Sequence, residues 1–307
     1  CTCILMLIFV ISVAAQDEIE KIETDLASFE VTVSDKNGNP VRNLTQDDFR
    51  VFENGVERPI DFFQPIKKQD EGRPLSVVFA LDVSGSMTPA EIERLRQAMQ
   101  NFIRRLADYN SYFAVMTFAM EVKTVQQFTN RPEVLEKSFD RLNRNQNGLS
   151  THAYDAVDDA VRLIARKSPK TIKDRIPKRA VIVITDGFPV GDSVSPSTVI
   201  ERANNAEASV FSVILPSYSR LQPDKRPVLT PLEASGLIDR TGGKSLYATD
   251  KNFEPLFASL AEEITSSYAI AFYPPENVRD AKPREVRIES KSGLIVRQNR
   301  RTYLLKK

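Results

Sequence analysis

The run Val77-Val78-Phe79-Ala80-Leu81-Asp82-Val83-Ser84-Gly85-Ser86-Met87 carries an apolar stretch into an acid, with hydroxyls two and four residues later. Positions i, i+2 and i+4 of an extended chain face the same way. One carboxylate and two hydroxyls therefore converge at the end of a strand, and Gly85 lets the chain turn among them. A second apolar stretch, Ala180 to Thr185, ends in Asp186-Gly187. These are hard oxygen donors. A lone Asp or Ser after a strand is ordinarily a helix N-cap, and it is the convergence of several such groups that argues for more.

Three kinds of catalysis fail on the same residues. A phosphohydrolase of the Asp-x-Asp type needs a second acid where Ser84 stands, so its general acid is missing. No Gly-rich turn ending in Gly-Lys-Ser/Thr follows a strand. The only histidine, His152, follows Thr151, and no Gly-x-Ser-x-Gly elbow presents a nucleophile; a solvated or capping role is expected for it. Metal-assisted hydrolysis fits the spacing but lacks an evident base.

These residues must be held by a rigid frame. From Ile19 to Ile66 the pattern is strand-like, with Phe29, Val31 and Val33 alternating with polar residues and turn dipeptides at Asn37-Gly38 and Asn54-Gly55. Phe52, Phe62 and Phe63 are expected in its core. After the polar stretch 67–72, apolar strand-like runs alternate with helical patterns, which is the signature of a doubly wound, mostly parallel α/β sheet. Its strands are expected at Leu75–Leu81, Tyr112–Phe118, Val122–Phe128, Ala180–Thr185, Ser209–Leu215, Lys244–Tyr247 and Tyr268–Tyr273. Helices are expected from Thr88, Asn130, Thr151, Ser195, Pro231 and Asn252; Asp155, Asp158 and Asp159 fall on the polar face of one of them. In such a sheet ligands bind beyond the carboxyl ends of the strands, where strand order reverses, and both Asp82 and Asp186 reach that rim.

Past Tyr273 the pattern returns to strands, Arg284–Glu289, Leu294–Arg297 and Arg301–Leu305. A hairpin alone is marginal in water, so these are expected to join the N-terminal strands in one β-sandwich-like module into which the α/β domain is inserted. The division is then 1–15 leader, 16–72 N-terminal β module, 73–273 α/β domain and 274–307 C-terminal strands.

At this point the chain resembles the von Willebrand factor type A (VWA) family. Asp82-Val83-Ser84-Gly85-Ser86 matches that family's DxSxS metal-ion-dependent adhesion site, and Asp186 matches the Asp of its strand-ending TDG. Thr151, in Gly148-Leu149-Ser150-Thr151-His152, looks like its loop threonine, with Ser150 standing where a second Gly is frequent. The likeness covers roughly residues 73 to 273. The flanks, through Val31-Thr32-Val33-Ser34-Asp35 and Val51-Phe52-Glu53-Asn54-Gly55, are similar to a bacterial secreted subgroup. The resemblance implies Asp82, Ser84, Ser86 and Thr151 as direct or near-direct metal ligands and Asp186 as a ligand through water.

Two carboxylates with hydroxyls and water suit a hard divalent cation, Mg²⁺ first and Mn²⁺ next. Such a set roughly neutralises the ion and leaves a position for a partner's Asp or Glu. The leading expectation is a non-enzymatic, metal-dependent protein-binding module. The alternatives are a structural envelope scaffold whose metal only steadies loops, and, behind it, a metal-assisted hydrolase.

The 307 residues carry 42 basic against 41 acidic side chains, which argues against a polycationic nucleic-acid binder. Residues 1–15 are uncharged, with an apolar run from Ile4 to Val13 and small residues to Ala15, and read as a cleaved export signal whose basic start precedes Cys1. An uncleaved N-terminal anchor is the other reading. Export implies a periplasmic, cell-surface or secreted protein with no membrane span in the mature chain. Both cysteines, Cys1 and Cys3, fall in this segment, so no disulfide framework is expected. Arg300-Arg301 and Lys306-Lys307 read as a solvated terminus.

Overall fold

The computed structural model describes residues 26–65, 73–84, 88–142, 151–215, 229–248, 253–275, 280 and 282–304. Residues 1–15, expected to be a leader, and Ser86, Ser150 and Lys306-Lys307 lie outside them. The chain opens with β1 (Ala27–Ser34), β2 (Phe49–Glu53), β3 (Val56–Arg58) and β4 (Phe62–Pro65). Asn54 and Gly55 have φ of 47° and 85°, the doubly positive pair that a tight hairpin between β2 and β3 demands.

The α/β layer follows, with β5 (Leu75–Asp82), β6 (Tyr112–Phe118), β7 (Val122–Thr129), β8 (Lys178–Thr185), β9 (Ala208–Ile214) and β10 (Ser245–Tyr247). Their order is β10-β9-β8-β5-β6-β7, and β7 alone is antiparallel. Strand order reverses between β5 and β8. Alternation along β5 divides the core: Leu75, Val77, Phe79 and Leu81 pack with α1 (Pro89–Leu106), α2 (Pro132–Asp140) and the late helix Phe253–Thr265. Val78 and Ala80 pack on the other face with α3 (Ala153–Lys167) and α4 (Pro196–Asn205). Prolines open α1, α2 and α4, where a missing N–H costs nothing, and Ser195 caps α4 by accepting from the Thr198 N–H at 3.3 Å. Among the described residues no helix is long and apolar enough to cross a membrane.

The late helix, α5, runs directly into β11 (Ser267–Phe272), which is followed by β12 (Arg284–Ser290), β13 (Ile295–Gln298) and β14 (Thr302–Tyr303). These complete two four-stranded sheets, β13-β1-β11-β4 and β14-β12-β2-β3, that enclose Phe29, Val31, Val51, Ile270, Phe272, Val286, Ile288 and Tyr303. Phe29 stacks on Phe272 at 6.2 Å, and Tyr303 meets both rings edge-on. The α/β layer thus leaves from β4 and returns through β11, its antiparallel neighbour.

Three expectations need correction. The sequence places Tyr268–Tyr273 in the parallel sheet, whereas β11 pairs with β1 and β4 in the sandwich. Its six residues are all buried, so it shows no polar face to distinguish a sandwich centre from a parallel strand. Phe62, expected in the core, lies on edge strand β4 and is 44% exposed, while Phe63 packs against Tyr268 and Phe52 is half-buried beneath Arg287. Arg300 does not stand in solvent either: it donates to the Ser28 carbonyl at 2.7 Å and lies over the Phe29 ring.

Where the two layers meet, the start of β8 and the end of α5 share a buried ion cluster. Glu30 of β1 pairs with Arg73 and with Lys178, 3.2 Å away, and accepts from the Ser267 hydroxyl at 2.6 Å. Lys178, 1% exposed, also donates to Ser267 at 2.7 Å. This cluster fixes the lower end of the sheet whose upper end carries the candidate site.

Candidate metal centre

Asp82 closes β5, in register with Phe118 of β6. It is 1% exposed. One carboxylate oxygen accepts the Ser84 N–H at 2.9 Å and the other accepts the Thr185 hydroxyl at 2.8 Å. No basic group among the described residues pairs with it. Burial pushes the Asp82 carboxyl above its usual range and the Asp186 charge adds to this, against the hydrogen bonds from Ser84 and Thr185. Ser84 is itself buried at 4% exposure.

Asp186 leaves the end of the neighbouring strand β8, half-buried, with one oxygen accepting the Phe188 N–H at 3.2 Å. Gly187 has φ +85°, and a Cβ there would stand 2.7 Å from the Thr230 side chain. Only glycine allows that approach, which seats the segment before the short helix Pro231–Ala234 against the rim.

Thr151 reaches the same rim through two tethers. Its backbone exchanges hydrogen bonds with Val190, four residues beyond Asp186, at 3.2 and 2.9 Å. The next residue, His152, gives its N–H to the Ala119 carbonyl at the end of β6 at 3.1 Å. Thr151 is thereby held between the ends of the two strands that flank β5, and is 9% exposed. His152 occupies the N-cap position of α3 with its Nδ1 3.5 Å from Asp155. Asp82, Ser84 and Asp186 thus stand at the ends of β5 and β8, where strand order reverses, and Thr151 is tied to the loops that adjoin them. Ser86 lies outside the described residues.

The acids expected on the polar face of α3 have firmer partners. Asp155 accepts from the backbone N–H groups of Ser193 and Val194 at 3.1 and 2.9 Å, which ties down the loop that carries Val190. Asp158, 2% exposed, pairs with Arg162 and Arg202 at 2.8 and 2.7 Å. Sequence reasoning also passed over Thr185. Its signal was its place before Asp186, at the end of the strand next to the one that Asp82 closes.

The donor set fits a hard divalent cation. A buried carboxylate without a basic partner has lost its hydration, and an adjacent ion would restore a counter-charge. Among the described residues no three His, Cys, Asp or Glu side chains gather as a metal-binding group. A cation at this rim would therefore depend on the serine and threonine oxygens as well as on Asp82 and Asp186.

The family model of the von Willebrand factor type A domain matches residues 76–230, half of the chain. Inter-alpha-trypsin inhibitor heavy chain H4 of Sus scrofa is 30% identical over 148 residues, 45% of this chain and 15% of that protein. The Homo sapiens protein is 25% identical over 150 residues, 46% of this chain and again 15% of that protein. The chain therefore spans a small part of the length of these curated relatives. A von Willebrand factor type A structure from Catenulispora acidiphila is similar with a TM-score of 0.50 at 13% identity, over 85% of this chain and 74% of that one. Proximal thread matrix protein 1 from the mussel byssus, with a zinc-occupied MIDAS motif, has a TM-score of 0.51 at 14% identity, over 66% of this chain and 48% of that one. By its matched segment, its strand order and the residues at its rim, the chain belongs to the von Willebrand factor type A domain family.

Proposed function

We propose that this chain is a non-enzymatic protein-binding module that captures an acidic side chain of a partner through a divalent cation, Mg²⁺ or Mn²⁺. The observation that carries this reading is the Asp82 carboxylate, 1% exposed and without a basic partner among the described residues, beside Asp186 at the strand-order reversal. Asp82, Ser84, Ser86 and Thr151 would hold the ion and Asp186 would act through water. When bound, the ion supplies a Lewis-acidic position for a carboxylate; the chain's own part is to hold its oxygens rigidly and leave that position free. The zinc-occupied motif of the mussel protein supports cation binding at such a rim. The apolar leader 1–15 supports export, so that the partner is met in the periplasm, at the cell surface or outside the cell.

The reading is tested by water-proton relaxation with Mn²⁺ bound to the chain. A bound ion with open positions keeps exchanging waters, and a short peptide containing one Asp should displace them and lower the relaxation enhancement. An Asn-containing control should not. Equal response to both peptides would refute carboxylate capture.

A further inference from the structure

Among the described residues, four large apolar side chains of the α/β layer are exposed: Met120 at 53%, Ile176 at 55%, Val190 at 52% and Leu229 at 63%. Ile176 precedes β8 and lies at the lower end of the sheet. The other three stand on three separate loops of the upper rim. Met120 is in the β6–β7 turn, next to Ala119, whose carbonyl holds the His152 N–H. Val190 is the backbone partner of Thr151. Leu229 adjoins Thr230, which is packed on Gly187 beside Asp186. Val190 is therefore itself a tether of the candidate site, and Met120 and Leu229 each adjoin one. Exposed apolar groups on the loops that border a polar centre suit an interaction surface, since water would otherwise favour their burial.

We propose that Met120, Val190 and Leu229 form an apolar collar around the cation position, so that the partner segment is an Asp or Glu flanked on both sides by Leu, Ile, Met or Phe. The inference rests on the cation-binding reading above and narrows its partner class. Charge complementarity sets the middle of the segment, because an ion held by Asp82 and the hydroxyl oxygens beside it would leave an open position that prefers an anion. The collar sets the flanks. Neither part suffices alone: a carboxylate without apolar neighbours leaves the three side chains wet, and an apolar segment without a carboxylate leaves the ion its water.

The test uses the whole chain, immobilised, and a displayed library of nonapeptides with Asp fixed at the centre. In Mn²⁺ the enriched peptides should carry Leu, Ile, Met or Phe on both sides of the Asp, and chelator should release them. The combined variant Met120→Ser, Leu229→Ser should bind a selected peptide at least about tenfold more weakly, the loss of roughly one buried apolar side chain, with its Mn²⁺ affinity unchanged. Met120→Ser alone, on an exposed turn, gives the same readout if the combined variant is unstable. Polar or basic flanks, or no enrichment while Mn²⁺ binds, would overturn the collar and leave the metal site standing. Enrichment that survives chelator would overturn it as well. Failure of the chain to bind Mn²⁺ would overturn both readings.

Discussion

Thr185 gives its hydroxyl to the Asp82 carboxylate at 2.8 Å, so the last residue of β8 holds the last residue of β5 across the point where strand order reverses. Thr185 is fully buried, and the bond leaves the second oxygen of Asp82 facing the Ser84 N–H. The orientation of the central acid is thus set by the neighbouring strand rather than by its own loop.

Thr185→Val keeps the shape and removes the hydroxyl. A buried carboxylate oxygen then loses its partner, and urea denaturation should show a loss of roughly 1–3 kcal/mol. Mn²⁺ binding should weaken in parallel. Thr185→Ser retains the donor and should recover most of both.

Gly187→Ala places a Cβ 2.7 Å from Thr230 at a φ of +85°. The left-handed conformation alone costs about 1–2 kcal/mol for an L-residue, and the contact forces the 229–234 segment away from the rim. Thermal denaturation should show a loss of roughly 2 kcal/mol or more, and the short helix Pro231–Ala234 should exchange its amide hydrogens faster than in the wild type.

Asp155→Ala removes the acceptor that holds the Ser193 and Val194 N–H groups. Hydrogen bonds to a charged group contribute about 1.5–3 kcal/mol each, discounted here for partial exposure, so a loss of roughly 1–2 kcal/mol is expected. The loop bearing Val190 should loosen, read as faster exchange of the Val190 N–H that pairs with Thr151.

Glu30 makes stability pH-dependent. Burial alone would raise its carboxyl, but Arg73 and Lys178 overcome this and hold it below the ordinary 4.5. The unfolded chain then binds the proton more readily than the folded one. The stabilisation is complete above pH 4.5 and is lost as pH falls through the folded value. Glu30→Gln should remove this acid limb from a denaturation series and, by leaving Arg73 and Lys178 buried without their carboxylate, cost roughly 3–5 kcal/mol at neutral pH.

Much of this architecture was legible in residue spacing. Asp82 and Ser84 follow an apolar run whose period-2 geometry aims them together, and Asp186 ends a second run of the same kind. Thr151 was legible through family resemblance alone, because the contacts that place it, its own to Val190 and that of His152 to Ala119, join positions 39 and 33 residues apart. Thr185 was hidden for the opposite reason: a threonine inside a β-branched run reads as ordinary strand, and its role appears when Asp82 is set beside it. The strand Ser267–Phe272 misled because both its faces are covered, which erases the alternation that separates a sandwich strand from a parallel one. Arg300 and Asp158 misled because sequence shows charge and not the ring or guanidinium that awaits it.

The central claim is that Asp82 organises a divalent-cation site. Calorimetric titration of Mn²⁺ and Mg²⁺ into the chain, with Asp82→Ala and Asp186→Ala alongside, tests it most directly. Saturable binding that Asp82→Ala abolishes and Asp186→Ala weakens, in a variant whose far-ultraviolet circular dichroism matches the wild type, is the predicted result. Binding of equal affinity in wild type and a folded Asp82→Ala variant would contradict it.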